Sequence, residues 1–345
     1  MATYSPLKEL IVARTKDFFR EPEAIFWVYI FPILLMVGLG IAFRTGGQTE
    51  VRVDVVDTVE GRVLQERLSK AEGFRVELLP LEEARARYAA GKIDLIVSAA
   101  AGSCEYIYDP SRLGTEAAKI KTNDVIQSGA GRKDALSASE QLISEPGSRY
   151  IDWLIPGLMG MNIMGGGMWG LGFVTVDMRM RKLLKRFVAT PMKRSDFLLA
   201  LMGSRILFLL TEMAVILGVG YFFFELSVRG SLLAVGAVMV LGAICFGGLG
   251  LLVACRTDKI ETVSGILNVV MLPMYLLSGI FFSSERFPDS MQPLVQALPL
   301  TQLNNALRAI ILEGMPLESQ WLPALALAGF GIVSFALALR WFRWQ

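Results

Sequence analysis

The chain has 345 residues, 53% of them hydrophobic and 19% charged, with a formal net charge of +2. A soluble protein carries about 25% charged residues, and a near-neutral balance leaves no electrostatic footprint for nucleic acid. There is no histidine and the three cysteines are scattered, which removes zinc sites, His-based acid–base catalysis and a disulfide framework.

The apolar residues are clumped into runs of about 20, the length that crosses a bilayer as a helix. The first run, 24–43, is preceded by "SPLKELIVARTKDFFREPE". Ser5 is placed to cap a helix with Pro6 at its first position. Leu7, Leu10, Ile11 and Phe18 share one face, with Lys8, Arg14 and Lys16 among the polar positions. That pattern predicts a helix lying in the membrane interface. The run 24–43 is longer than the apolar core of a cleaved signal peptide, so it reads as a retained first span. Residues 1–43 are thus an interfacial helix followed by the first transmembrane helix.

Residues 44–150 change character. "VRVDVVD" at 51–57, "FRVELL", "IDLIVSA" and "CEYIYD" read as strands. Residues 62–72 and "LEEARARYAAG", with Gly91 at its end, read as helices. The segment is a small α/β domain inserted between the first two spans.

Residues 151–345 hold five further apolar runs, at 153–176, 198–223, 231–254, 263–283 and 321–341. The fold class is therefore an α-helical polytopic membrane protein with six transmembrane helices. Between the last two runs, 284–312 is apolar but broken by Pro288, Pro293 and Pro299. Re-entrant half-helices suit it, since irregular backbone at depth needs shelter from lipid. The glycines of "GLMGMNIMGGGMWGLG" (157–172) lie inside a predicted span with no lysine beside them. They fit close helix packing, not a phosphate loop.

Orientation follows from lysine and arginine in the short connections. With the N-terminus inside, the cytoplasmic face collects Lys8, Arg14, Lys16, Arg20, the basic residues of 179–194, Arg256, Lys259, Arg340 and Arg343. Outside the inserted domain, the opposite face holds only Arg229, Arg286 and Arg308. Both termini are then cytoplasmic and 44–150 is extracytoplasmic.

That orientation makes "RMRKLLKRFVATPMKRSDF" (179–197) a cytoplasmic connection. Met180, Leu183, Leu184, Phe187 and Val188 recur at the spacing of one helix face. Thr190-Pro191 ends that helix, because the residue before proline is pushed out of the α region. A basic amphipathic helix here is either an anchor on anionic lipid or a docking element for a cytoplasmic partner. Among charges inside spans, Arg205 and Glu212 are seven residues apart and share a face. Arg205 is near enough to the cytoplasmic end to snorkel. Glu212 lies deeper, as a structural hydrogen-bond acceptor or part of a translocation path. Asn162 and Asn268 are interhelical hydrogen-bond candidates, and the same two residues join Glu212 as candidates for the path.

Three stretches carry a family resemblance. They are the Arg20-x-Pro22 entry to the first span, Leu184-Lys185-Arg186…Ala189-Thr190-Pro191, and Leu277-Ser278-Gly279…Pro288…Pro299-Leu300-Thr301…Leu307-Arg308. In this order the chain resembles the type-2 permease subunit of ATP-binding-cassette exporters, in the subgroup with a large extracytoplasmic domain after the first span. The resemblance implies a permease that forms a translocation path as a homo- or heterodimer. It also assigns 179–190 as the coupling helix that meets the ATPase. That places Arg179, Arg181, Lys182, Leu183, Leu184, Lys185, Arg186, Phe187, Thr190 and Pro191 at the contact. Many members carry an acidic, glycine-containing version there; Lys182 and Lys185 make this the basic variant.

The chain contains no G-x-x-x-x-G-K-[ST]. ATP and Mg are therefore expected on a separate nucleotide-binding ATPase, with no cofactor, metal or catalytic residue on this chain. The other expected partners are a second permease copy, an extracytoplasmic adaptor and the lipid bilayer of a bacterial inner or plasma membrane. Two other readings stay open. An ion-coupled secondary transporter would want inverted repeats and several buried acids. A membrane-anchored receptor would act through 44–150. An intramembrane transferase finds only Glu285 and Asp289 in the external segment.

Overall fold

The computed structural model describes residues 6–43, 50–100, 103–110, 112, 114–132, 149–183 and 194–341, without the side chains of 6–7 and 194–199. The chain divides into two compact units, one of residues 1–44 with 144–345 and one of residues 45–143.

The smaller unit is a four-stranded sheet in the order β2-β1-β3-β4. Its strands are β1 (Val51–Val56), β2 (Phe74–Leu79), β3 (Leu95–Ala100) and β4 (Ser103–Ile107). β1 pairs in parallel with β2 and β3, and β4 closes antiparallel on β3. Parallel neighbours need a crossover, and α1 (Val59–Ser69) and α2 (Leu81–Ala89) supply both. Val53 and Val55 of β1 are fully buried against Leu64 and Leu68 of α1 and Ala118 and Ile126 of α3 (Thr115–Gly129). Ala84 of α2 packs on the other face with Ile93 and Ile96. Alternation along β1 therefore sends Asp54 to the α2 side. Thr58 caps α1, its hydroxyl accepting from the Gly61 N–H at 2.9 Å.

The larger unit is helical. It opens with α4 (Pro6–Arg20) and α5 (Pro22–Ala42), the latter widened to π geometry over Phe26–Ile30. Then come α6 (Tyr150–Gly167), a π turn at Met168–Phe173 and α7 (Val174–Met180) in one run. The rest are α8 (Arg194–Phe224), α9 (Leu232–Ala254), α10 (Ile260–Leu277), α11 (Gln292–Ala297), α12 (Pro299–Ile311) and α13 (Trp321–Trp341). Among the described residues, five helices are long and apolar enough to cross a membrane: Pro22–Ala42, Ala200–Phe224, Leu232–Ala254, Ile260–Leu277 and Leu317–Trp341. This is the build of a polytopic membrane protein.

The run α6–α7, expected as the second span, is not among those five. Its glycines and Asn162 dilute its apolarity, and protein covers it instead. Leu154, Ile155, Leu158, Ile163 and Met164 are all at most 1% exposed. Gly250 of α9 lies so close that an added Cβ would fall 2.8 Å from the Gly167 carbonyl oxygen and 2.9 Å from Met168 Cα. α12 is buried with it: Leu300, Leu303, Leu307, Ile310 and Ile311 are fully covered. α10 stops at a break where Gly279 takes φ +72°, and Pro293 and Pro299 begin α11 and α12.

Candidate functional site

Three arginines tie other elements to the α6–α7 run, and two of them coincide with residues nominated from sequence. In the middle, Arg205 of α8 donates from Nη1 and Nη2 to the Glu212 carboxylate at 2.6 and 3.0 Å. Both side chains are buried, at 7% and 2% exposure. Two helical turns separate them, so they meet on one face. Arg205 therefore does not snorkel as expected; the carboxylate two turns away neutralises it in place. Arg205 Nη2 also donates to the Asn162 carbonyl at 3.3 Å. Gly166 makes the room, since a Cβ there would fall 1.8 Å from the same nitrogen.

The first span joins this level through its π turn. One turn of π geometry displaces backbone carbonyls from the regular ladder, and the Asn162 amide donates to the Val28 carbonyl at 3.1 Å. Thr211 donates to the Phe208 carbonyl at 2.7 Å, which leaves Tyr29 as donor in its 2.6 Å bond to the Thr211 hydroxyl. The structure thus brings Asn162 and Glu212 together with Arg205 as their link. Asn268, the third candidate, is exposed on α10 and makes no hydrogen bond with them. The space beside Arg205 is only about 10 Å³, no more than one water.

At the end of α7 the guanidinium of Arg179 turns inward, 9% exposed. It donates to the carbonyls of Ala254 (2.9 Å), Thr257 (2.5 Å) and Cys255 (3.2 Å), at the C-terminal end of α9. Asp258 lies 3.7 Å away. A cation on the last carbonyls of a helix also meets the negative end of its dipole. Arg181 pairs with Asp177 at 2.9 Å and is exposed, as is Lys182. Lys182 has φ +58°. The expected helix 179–190 is therefore broken near its start: α7 ends at Met180 and the chain turns. Leu183 packs against the cluster of Leu171, Met178, Leu201, Leu251 and Ala338. Leu184, Lys185, Arg186, Phe187, Thr190 and Pro191 lie outside the described residues.

The third arginine stands in the sequence as an outside charge and as the end of the Leu307-Arg308 motif. Arg308 of α12 is 4% exposed, with its guanidinium 3.6 Å above the Trp153 ring. It donates to the Gly279 carbonyl and, at 3.4 Å, to that of Trp153. Asn304, one turn earlier, donates to the Ser278 carbonyl at 2.9 Å. The signal available in sequence was the Asn304/Arg308 pair at i, i+4 in an apolar segment, beside a Ser-Gly break that leaves carbonyls to satisfy.

In the smaller unit, Arg52, Asp54, Arg75, Glu77, Arg87, Lys92 and Ile93 line a recess of about 220 Å³. Asp54 is 1% exposed, and burial raises its pKa to about 6 against the opposing pull of Arg87. Arg87 is only a partial counter-ion. Its Nη1 donates to Glu77, and its Nε sits 3.3 Å from Asp54 without hydrogen-bond alignment. The same bond to Arg87 lowers the pKa of Glu77. Arg52 is held by Asp94, from Nη2 at 3.1 Å and Nε at 3.3 Å.

Apolar helices of spanning length, covered glycine-rich helices and buried arginine–carbonyl ties define a multi-pass membrane protein whose apolar interior is crossed by a few polar ties. The chain belongs to the ABC-2 type transporter family, whose model matches residues 113–312. It is therefore a membrane transport component. It is also similar to ABC transporter G family member 20 of Dictyostelium discoideum, 25% identical over 175 residues. That match takes in 50% of this chain and 24% of the relative, so the chain spans about a quarter of the relative's length.

Proposed function

We propose that the chain is the membrane-spanning permease subunit of an ATP-driven exporter. It forms the translocation path as a dimer and is driven by a separate ATPase that binds ATP and Mg. In this reading α6–α7 is the second of six spans, both termini are cytoplasmic, and 44–150 is extracytoplasmic. The ATPase meets the connection that begins at Arg181 and Lys182 and continues through Leu184, Lys185, Arg186, Phe187, Thr190 and Pro191.

One observation carries the reading within the family. At Lys182 the chain leaves the axis of a covered helix and exposes basic residues, while Arg179 ties that helix's end to α9. Such a corner has one side for a partner and one fixed to the helices. The pairing of Glu212 argues against ion-coupled transport, because both its oxygens are engaged by Arg205.

Purification from the native host tests the proposal: a Walker-type ATPase should accompany the chain, and its absence would sink the idea. The combined variant K182E/K185E/R186E should insert normally and lose most of the bound ATPase. Normal association would remove this connection as the docking element.

A further inference from the structure

We propose that Arg179 is a positioning residue, a latch that makes the α9–α10 turn move with the coupling connection. The proposal rests on the exporter reading and assigns Arg179 to transmission instead of to the ATPase contact.

The geometry separates Arg179 from its basic neighbours. Arg181 and Lys182 are exposed, whereas the Arg179 guanidinium is buried and spends three hydrogen bonds on one helix end. Those carbonyls belong to Ala254, Cys255 and Thr257, the last residues before the short turn that enters α10 at Ile260. The carbonyls at a helix C-terminus lack intrahelical partners. An arginine fork fills several of them at once, which a point-like ammonium does not. Thr257 adds its own bond to the Val253 carbonyl at 2.8 Å, stiffening the segment that receives the fork.

The two joined segments lie 75–78 residues apart in sequence. A push on the chain just after Met180 therefore reaches α9 and α10 without crossing the interior of the helical unit. Leu183, packed on the cluster of Leu171, Met178, Leu201, Leu251 and Ala338, gives that push a second, apolar contact. The arginine contact engages the turn between α9 and α10.

Hydrogen exchange on the purified permease–ATPase complex tests this, comparing nucleotide-free protein with protein trapped by Mg, ADP and vanadate. In the wild type, trapping should change exchange both at 180–183 and at 254–260. In Arg179→Gln the ATPase should stay bound and the change at 180–183 should persist, while the change at 254–260 is lost. Arg179→Lys keeps the charge without the fork and should retain only part of the change at 254–260.

If Arg179→Gln still shows the full change at both segments, the latch is wrong. Loss of the ATPase from Arg179→Gln but not from wild type would make Arg179 a docking contact, which also overturns it. Failure of both variants to fold would reduce Arg179 to a structural clamp. If the wild-type chain binds no ATPase, or trapping changes neither segment, the exporter reading fails first.

Discussion

Arg205 and Glu212 show how much one residue depends on another inside this protein. Removing one partner of a buried ion pair strands the other and costs about 3–5 kcal/mol, whereas replacing both with apolar residues costs far less. Glu212→Leu should therefore lower the thermal stability of detergent-purified protein sharply. The double variant Arg205→Met/Glu212→Leu should recover most of it. Equal loss in the single and double variants would mean that the pair is not the unit of stability. Asp54 makes a pH prediction. Its pKa rises from an ordinary 3.8 to about 6, so between those values the folded state binds more protons than the unfolded one. Stability of the smaller unit then falls as pH rises through that window, by at most about 3 kcal/mol. Glu77 is shifted the other way, and its contribution is lost only as pH falls below 4.5. Hydrogen-exchange protection of the β1 amides in the full chain, corrected for intrinsic rates, should decline from pH 4 to pH 6. Asp54→Asn should flatten that decline. The position of Glu212 on the face of Arg205 was legible in sequence, since spacing alone puts them together. The inward turn of Arg179 was not, because nothing local distinguishes it from Arg181; its partners are carbonyls some 75 residues away.

Among elements, the α6–α7 run carries most of the organisation. Helices in a membrane gain little from apolar contact with one another and pack through small residues that bring backbones close. Gly250 and Gly167 make such a contact between α9 and α6, with backbone on both sides and nothing flexible to yield. Gly250→Ala should cost about 1–3 kcal/mol through forced separation, read as a lower melting temperature in detergent. Gly265, with nothing within 4 Å of an added Cβ, is the control and should accept alanine without loss. The strands at 51–56, 74–79, 95–100 and 103–107 were readable because alternation and length mark them locally. The π turns at Phe26–Ile30 and Met168–Phe173 were not. An extra residue in a helical turn leaves the apolar composition unchanged, and only the neighbours that use the freed carbonyls reveal it.

Across the whole molecule, the ties on α6–α7 fall at successive heights: Trp153 with Arg308, Asn162 with Arg205 and Val28, and Arg179 with the end of α9. Each uses a backbone carbonyl as its acceptor. The placement of spanning helices, 153–176 included, followed from apolar runs, yet α6–α7 is less apolar than the five spanning helices and is covered by protein. That difference bears on how the chain is made. Synthesis reaches α6 well before α8, α9 and α12 exist to surround it. Until they follow, a helix rich in glycine has only modest affinity for lipid, and the carbonyls that Arg179 will engage, like Arg308 itself, are not yet in place. The fold therefore closes from its centre late, when Arg308 at the far end of the sequence reaches Trp153, and assembly order, not hydropathy, decides when this helix is at home.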